Sequence, residues 1–190
     1  MRYLVAIALV GCSVGTTAPT TTAPDAAAAA MPGAGSVARA AEWVAAMVPY
    51  CQAPNHQTDL DSACASTCTR PDNAAWDPYR SDCSGFVSWA WALPPPGRTT
   101  QGFAPFATDL THELDGSELR AGDAVNNSEH VMLFVAWTNP GSEATFMEET
   151  GCSSSTPYAV QVTAAVTVSG SSVTVQYRGT FTAIRYDAAP

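Results

Sequence analysis

Hydrophobic and polar positions change rhythm along this chain, and the changes predict its elements. From Ser36 to Val48, the residues Val37, Ala40, Ala41, Val44, Met47 and Val48 recur at three- and four-residue spacing, which predicts a helix that Pro49 stops. Phe86, Val87, Ala90, Trp91 and Leu93 repeat that spacing. They predict a second helix, capped by Ser81 or Asp82 and broken by Pro94-Pro95-Pro96-Gly97. Between the two, residues 51–80 show no sustained period and read as a long loop. A short helix is expected over Phe106–Leu114, then a turn at Leu119-Arg120-Ala121-Gly122-Asp123 leading into a strand at Ala124-Val125. Beyond it the period is two. His130, Met132, Phe134 and Ala136 share one face, and Val131, Leu133, Val135 and Trp137 the other, so both faces are apolar and the strand is central to a covered sheet. Asn139–Ser142 turns the chain and Ala144–Glu149 returns antiparallel. Val160, Val162, Ala164, Val166 and Val168 line one face of a further strand, a hairpin follows at Ser169–Ser172, and Val173, Val175 and Tyr177 resume the alternation before Phe181, Ile184 and Tyr186. Helices first and antiparallel strands afterwards predict an α+β architecture, with N-terminal helices packed on a C-terminal antiparallel sheet.

The first 35 residues follow neither period. Arg2 followed by the apolar run Tyr3–Val10 has the make-up of an export signal and is too short to span a bilayer. It ends in Leu9-Val10-Gly11-Cys12, which resembles the lipobox of bacterial lipoproteins and marks Cys12 for lipidation; ordinary secretion is the alternative. In a cell with two membranes, Ser13 points to the outer membrane and periplasm rather than inner-membrane retention. Residues 13–35 are Thr, Ala, Pro and Gly with almost no large apolar side chain, so they read as a flexible tether. Three regions result: a signal over 1–12, the tether over 13–35 and a folded domain over 36–190 with a cysteine-rich insert at 51–80.

Charge narrows the class of partner. A net charge of -9 and a pI near 4.5 argue against nucleic acid, whose phosphates demand a basic surface. They argue equally against electrostatic docking on anionic lipid, so a membrane would be reached only through the anchor at Cys12. The chain is expected to be a monomer.

The six cysteines divide by context. Cys12 belongs to the signal junction and Cys83 to a helix start. Cys51, Cys64, Cys68 and Cys152 remain, enough for two disulfides in an oxidising compartment, with one bridge inside the 51–68 loop and one tying that loop to Cys152 as the favoured pairing. Cys51, His56, Cys64 and Cys68 would also make a zinc set, but they lack the usual close-set ligand pairs and export favours oxidation, so no metal is expected.

Cys83 stands where unpaired helix N–H groups and the helix dipole favour negative charge, the setting that turns a thiol into a nucleophilic thiolate. Ser84 and Gly85 leave little bulk beside the sulfur, so a carbonyl can approach those N–H groups. A cysteine nucleophile needs a base and a group that orients it. Of the three histidines, His56 lies in the insert and His112 in a polar turn, whereas His130 opens a central strand beside the polar run Asn126–Glu129. Glu148 and Glu149 end the neighbouring strand, and alternation lets only one of them face His130.

Tyr79-Arg80-Ser81-Asp82-Cys83-Ser84-Gly85-Phe86-Val87, then Leu119–Asp123, then His130-Val131-Met132-Leu133-Phe134 resemble the NlpC family of bacterial cell-wall cysteine peptidases. The resemblance spans about residues 36–186. It implies a papain-like α+β fold, Cys83 as nucleophile, His130 as base, and Glu148 as third residue with Glu149 as fallback. Val48-Pro49-Tyr50 resembles the family's tyrosine segment, which places Tyr50, with Asp82 and Ser84, in oxyanion or substrate binding. The implied activity is an endopeptidase or amidase on peptidoglycan stem peptides, at the bond from D-glutamate to the diamino acid, with no cofactor. Three features depart from the family: Glu129 stands where glycine often precedes the histidine, the 51–79 insert is long, and glutamate is unusual as third residue. A catalytically silent wall-binding domain, or an amidase or acyltransferase on another amide, is the alternative.

Overall fold

The computed structural model describes residues 33–59 and 67–187. The export signal over 1–12 with Cys12, nearly all of the 13–35 tether, and Cys64 within the insert lie outside the described residues. Gly33 caps the first helix, α1 (Ala34–Ala46). The helix buries Ser36, Ala40 and Trp43, while Met47 is exposed. Trp43, between the expected apolar stripe positions, is therefore the residue that anchors α1. Its indole stacks on Trp89 with ring centroids 6.1 Å apart and meets Phe86 and Trp76 at larger angles.

The second helix, α2 (Cys83–Ala90), is apolar nearly all round because both sides of it are covered. Arg39 of α1 donates to the Ala90 carbonyl at 2.8 Å and Trp89 of α2 returns a bond to the Arg39 carbonyl at 2.9 Å, which fixes the pair.

Seven strands follow: β1 (Thr111–Glu113), β2 (Ala124–Asn126), β3 (Val131–Asn139), β4 (Glu143–Glu149), β5 (Ala159–Ser169), β6 (Ser172–Val175) and β7 (Gly179–Tyr186). All pairings are antiparallel, and β7 bonds β2 on one side and β6 on the other. The run β2-β3-β4-β5-β6-β7 thus returns to β2 and closes a six-stranded barrel, with short β1 added beside β7. This corrects the expected papain-like layout of helices on a sheet. Among the described residues there are only two short α-helices, and the strands enclose a core of their own. The expected helix over Phe106–Leu114 is also absent; Thr111–Glu113 is drawn into β1 by its pairing with Ile184–Tyr186.

Closure explains why β3 is apolar on both faces. Met132 and Phe134 point into the barrel with Val125, Phe146, Val173 and Phe181. Val131 and Leu133 point outwards into a second core with Trp43, Phe86, Val87 and Met147. β4 obeys the same alternation: Phe146 faces inwards and Met147 faces the helices.

Candidate functional site

Asp82 determines how α2 begins. Its Oδ1 accepts the Gly85 N–H at 2.6 Å and the Ser84 hydroxyl at 2.9 Å, so Asp82 is the N-cap and Cys83 the first helical residue. Its other oxygen stands 3.5 Å from Arg80 Nε. Gly85 allows this start to sit tight on the preceding chain, since a Cβ there would fall 2.1 Å from the Arg80 carbonyl oxygen. Cys83 carries a free thiol, and its residue is 7% exposed. It lines a cleft of about 230 Å³ together with Tyr50, Asp82, Ser84 and Glu129.

His130 precedes β3 in the β2–β3 turn. Asn127 holds this turn by accepting the backbone N–H groups of Glu129 and His130 at 2.9 and 2.8 Å. The ring's Nε2 meets Glu148 Oε2 at 2.7 Å, which leaves Nδ1 free of that carboxylate, and Cys83 is close enough to act on the ring. Burial alone would lower the pKa of this imidazole. Hydrogen bonds and negative charge from Cys83 and Glu148 outweigh burial and raise it to about 9. The ring is therefore cationic near neutral pH.

Glu148 is held from two sides. Arg178, in the turn between β6 and β7, places Nε and Nη2 at 2.8 and 2.7 Å from Oε1, while His130 takes Oε2. Burial works against the charge of this carboxylate, but the bonds and charges of His130 and Arg178 win and lower its pKa below the usual range. Glu149, the fallback for this role, points to the other face of β4. It is fully buried towards α2, and neither carboxylate oxygen has a hydrogen-bond partner. Burial raises its pKa well above the ordinary value; Arg70 opposes this, and the negative charges of Asp82, Cys83 and Glu148 reinforce it.

The structure thus brings Cys83, His130 and Glu148 together, sets Tyr50, Asp82 and Ser84 around the sulfur, and keeps Glu149 off the imidazole. His56 and His112 lie elsewhere, on exposed ion pairs with Asp72 and Asp187. Two residues had no signal in the sequence. Arg178 follows a strand end like any turn cation. Arg70 lies inside the insert, yet is buried and donates to the carbonyls of Trp76, Asp77 and Tyr79, immediately upstream of the Cys83 segment.

The insert is cross-linked by a Cys51–Cys68 disulfide, which takes two sulfurs out of the zinc set. Cys152 is disulfide-bonded as well. Pairing of Cys51 with Ser81 as an isolated antiparallel bridge ties the cross-linked insert directly to the chain entering α2.

No family model matches this chain, and no curated protein matches it. Among solved structures it is similar to the peptidoglycan hydrolase RipB from Mycobacterium tuberculosis, at 21% identity over 79% of this chain and 61% of that one, with a TM-score of 0.44. The chain therefore spans less than two thirds of that neighbour.

Proposed function

We propose that the protein is an exported cysteine hydrolase that cleaves amide bonds in peptidoglycan stem peptides. The observation that carries this reading is the free thiol of Cys83 in an open cleft, beside an imidazole, His130, that Glu148 holds at 2.7 Å. The NlpC-like residues around Cys83, Asp123 and His130 supply the substrate class.

The residues allot the steps. The Cys83 sulfur, its proton passed to the neighbouring His130, attacks the amide carbonyl carbon. Asp82 occupies the Gly85 N–H and leaves those of Cys83 and Ser84, at the helix start, to meet the oxyanion. His130 passes its proton to the departing amine as the C–N bond breaks. It then takes a proton from water, which attacks the thioester, releases the acid and restores the sulfur. Glu148 keeps the ring oriented and favours its charged form throughout.

Cys83→Ala should abolish cleavage of purified peptidoglycan, read by mass spectrometry of the released fragments, while the thermal melt stays cooperative. A Cys83→Ala protein that still cuts sinks the assignment. A silent wall-binding domain is the second reading, favoured by the burial of Cys83. It predicts that iodoacetamide labels Cys83 no faster than a free small thiol at neutral pH.

A further inference from the structure

Tyr177 is the most exposed large hydrophobic side chain among the described residues, with 89% of its surface open. The alternation of β6 predicts it as a strand residue. It stands instead in the middle of the three-residue turn between β6 and β7, with φ at 62°. That left-handed conformation suits glycine or asparagine and strains a bulky aromatic residue. The turn is nonetheless well held. The Gln176 N–H donates to the Ala165 carbonyl at 2.9 Å, the Arg178 N–H to the Val175 carbonyl at 3.0 Å, and the Arg178 side chain grips Glu148. A ring kept in water on a strained backbone contributes nothing to the core, and strain of this kind collects where ligands are gripped.

The ring's position says what it faces. Tyr177 and Arg178 border the hollow that holds His130, Glu148, Thr150 and Ser154. The same two residues border a second hollow of about 230 Å³, whose remaining walls are Val162, Thr163, Ala164 and Gln176. Besides Tyr177 and Arg178, this second hollow is lined by two small apolar side chains, a hydroxyl and a side-chain amide, and by no carboxylate. Those are the groups that suit an uncharged polyol ring. The C–H face of a pyranose lies against the negative face of a tyrosine, and its hydroxyl or acetamido groups bond an amide and a threonine.

We propose that Tyr177 and the hollow behind it form a saccharide subsite that holds the glycan strand while the attached stem peptide lies in the cleft at His130. The proposal deepens the peptidoglycan reading and rests on it for the identity of the glycan. Arg178 couples the two places, because it borders the sugar hollow and bonds the carboxylate that orients His130.

The test uses the full chain carrying Cys83→Ala, with peptide-free glycan strands as probe. This protein should bind the strands, and adding Tyr177→Ala should weaken binding roughly three- to ten-fold, the range expected for one lost ring contact. Tyr177→Trp should keep it. Tyr177→Gly should weaken binding as Tyr177→Ala does yet raise the melting temperature, since glycine accepts the turn without strain. No measurable binding by the Cys83→Ala protein, or equal binding with Tyr177→Ala, overturns the subsite. A lower melting temperature in Tyr177→Gly overturns it too, by showing that the ring serves the fold. Failure of the peptidoglycan reading looks different: cleavage of peptidoglycan is absent while Tyr177-dependent glycan binding persists.

Discussion

On the barrel face of β4, Glu148 meets a histidine and an arginine and stays ionised; one residue later, on the helix face, Glu149 meets no hydrogen-bond donor and is driven towards its neutral form. Side chain, strand and depth are the same. The difference lies in what the two sides of the strand offer. The barrel mouth is walled by turns, which can carry His130 and Arg178, whereas the opposite face lies under packed α2, whose sulfur and N-cap carboxylate add negative potential. Burial pushes both carboxyls towards the neutral form, and the neighbours decide which of them stays charged.

The largest test of this contrast is Glu148→Gln. Losing the carboxylate should cut kcat/KM by about a hundred- to ten-thousand-fold, the range seen when the residue that orients a catalytic histidine is neutralised. The His130 pKa, followed by NMR, should fall from about 9 towards the ordinary 6.5. A pKa still near 9 in this variant would refute the assignment of Glu148.

The wild-type rate should show the same group through pH. Catalysis needs the imidazolium, so kcat/KM should decline as pH rises through about 9. Stability runs in the same direction. The folded pKa lies above the unfolded 6.5, so this contribution is complete below pH 6.5 and disappears as pH passes 9. For Glu148 the sign is reversed: its contribution is present above pH 4.5 and is lost as pH falls through its lowered pKa.

Arg178→Ala should have a smaller effect, about ten-fold in kcat/KM, because Glu148 keeps His130 but loses the cation that fixes its other oxygen. Retention of full activity would assign Arg178 to the turn alone.

Glu149→Gln should be the gentlest change, leaving catalysis near wild type and altering the pH dependence of stability. The unfolded carboxyl ionises near 4.5 while the folded one holds its proton, so wild type loses stability as pH rises from there at up to about 1.4 kcal/mol per pH unit. The glutamine variant should lack that slope in urea midpoints measured at pH 5 and pH 8. A slope identical to wild type would show that Glu149 is ionised in the fold.

The parts of this site written in local pattern were legible beforehand. Helical spacing after Asp82 placed Cys83 in a first turn, and two-residue alternation from Val131 placed His130 at a strand end. Alternation along 144–149 also required one glutamate to face the histidine and the other to face away. It could not say which until the resemblance favoured Glu148. The barrel was not legible, because Val125 and Val173 alternate in the same way in an open sheet and a closed one. Closure depends on pairs such as Ala124 with Ile184, distant in sequence and without local signature. Arg70 and Arg178 escaped for a related reason: each is an ordinary loop cation until folding delivers a carbonyl cluster or a carboxylate to it.

One arrangement described above also governs how the molecule fails. Because β7 is bonded to β1, β2 and β6, it is the seam of the barrel. A protease cut that frees it would bare edges on all three strands at once, and unpaired edges recruit other chains. Shortening the C-terminus stepwise should therefore give soluble protein up to a threshold near Tyr186 and insoluble protein beyond it, with little between.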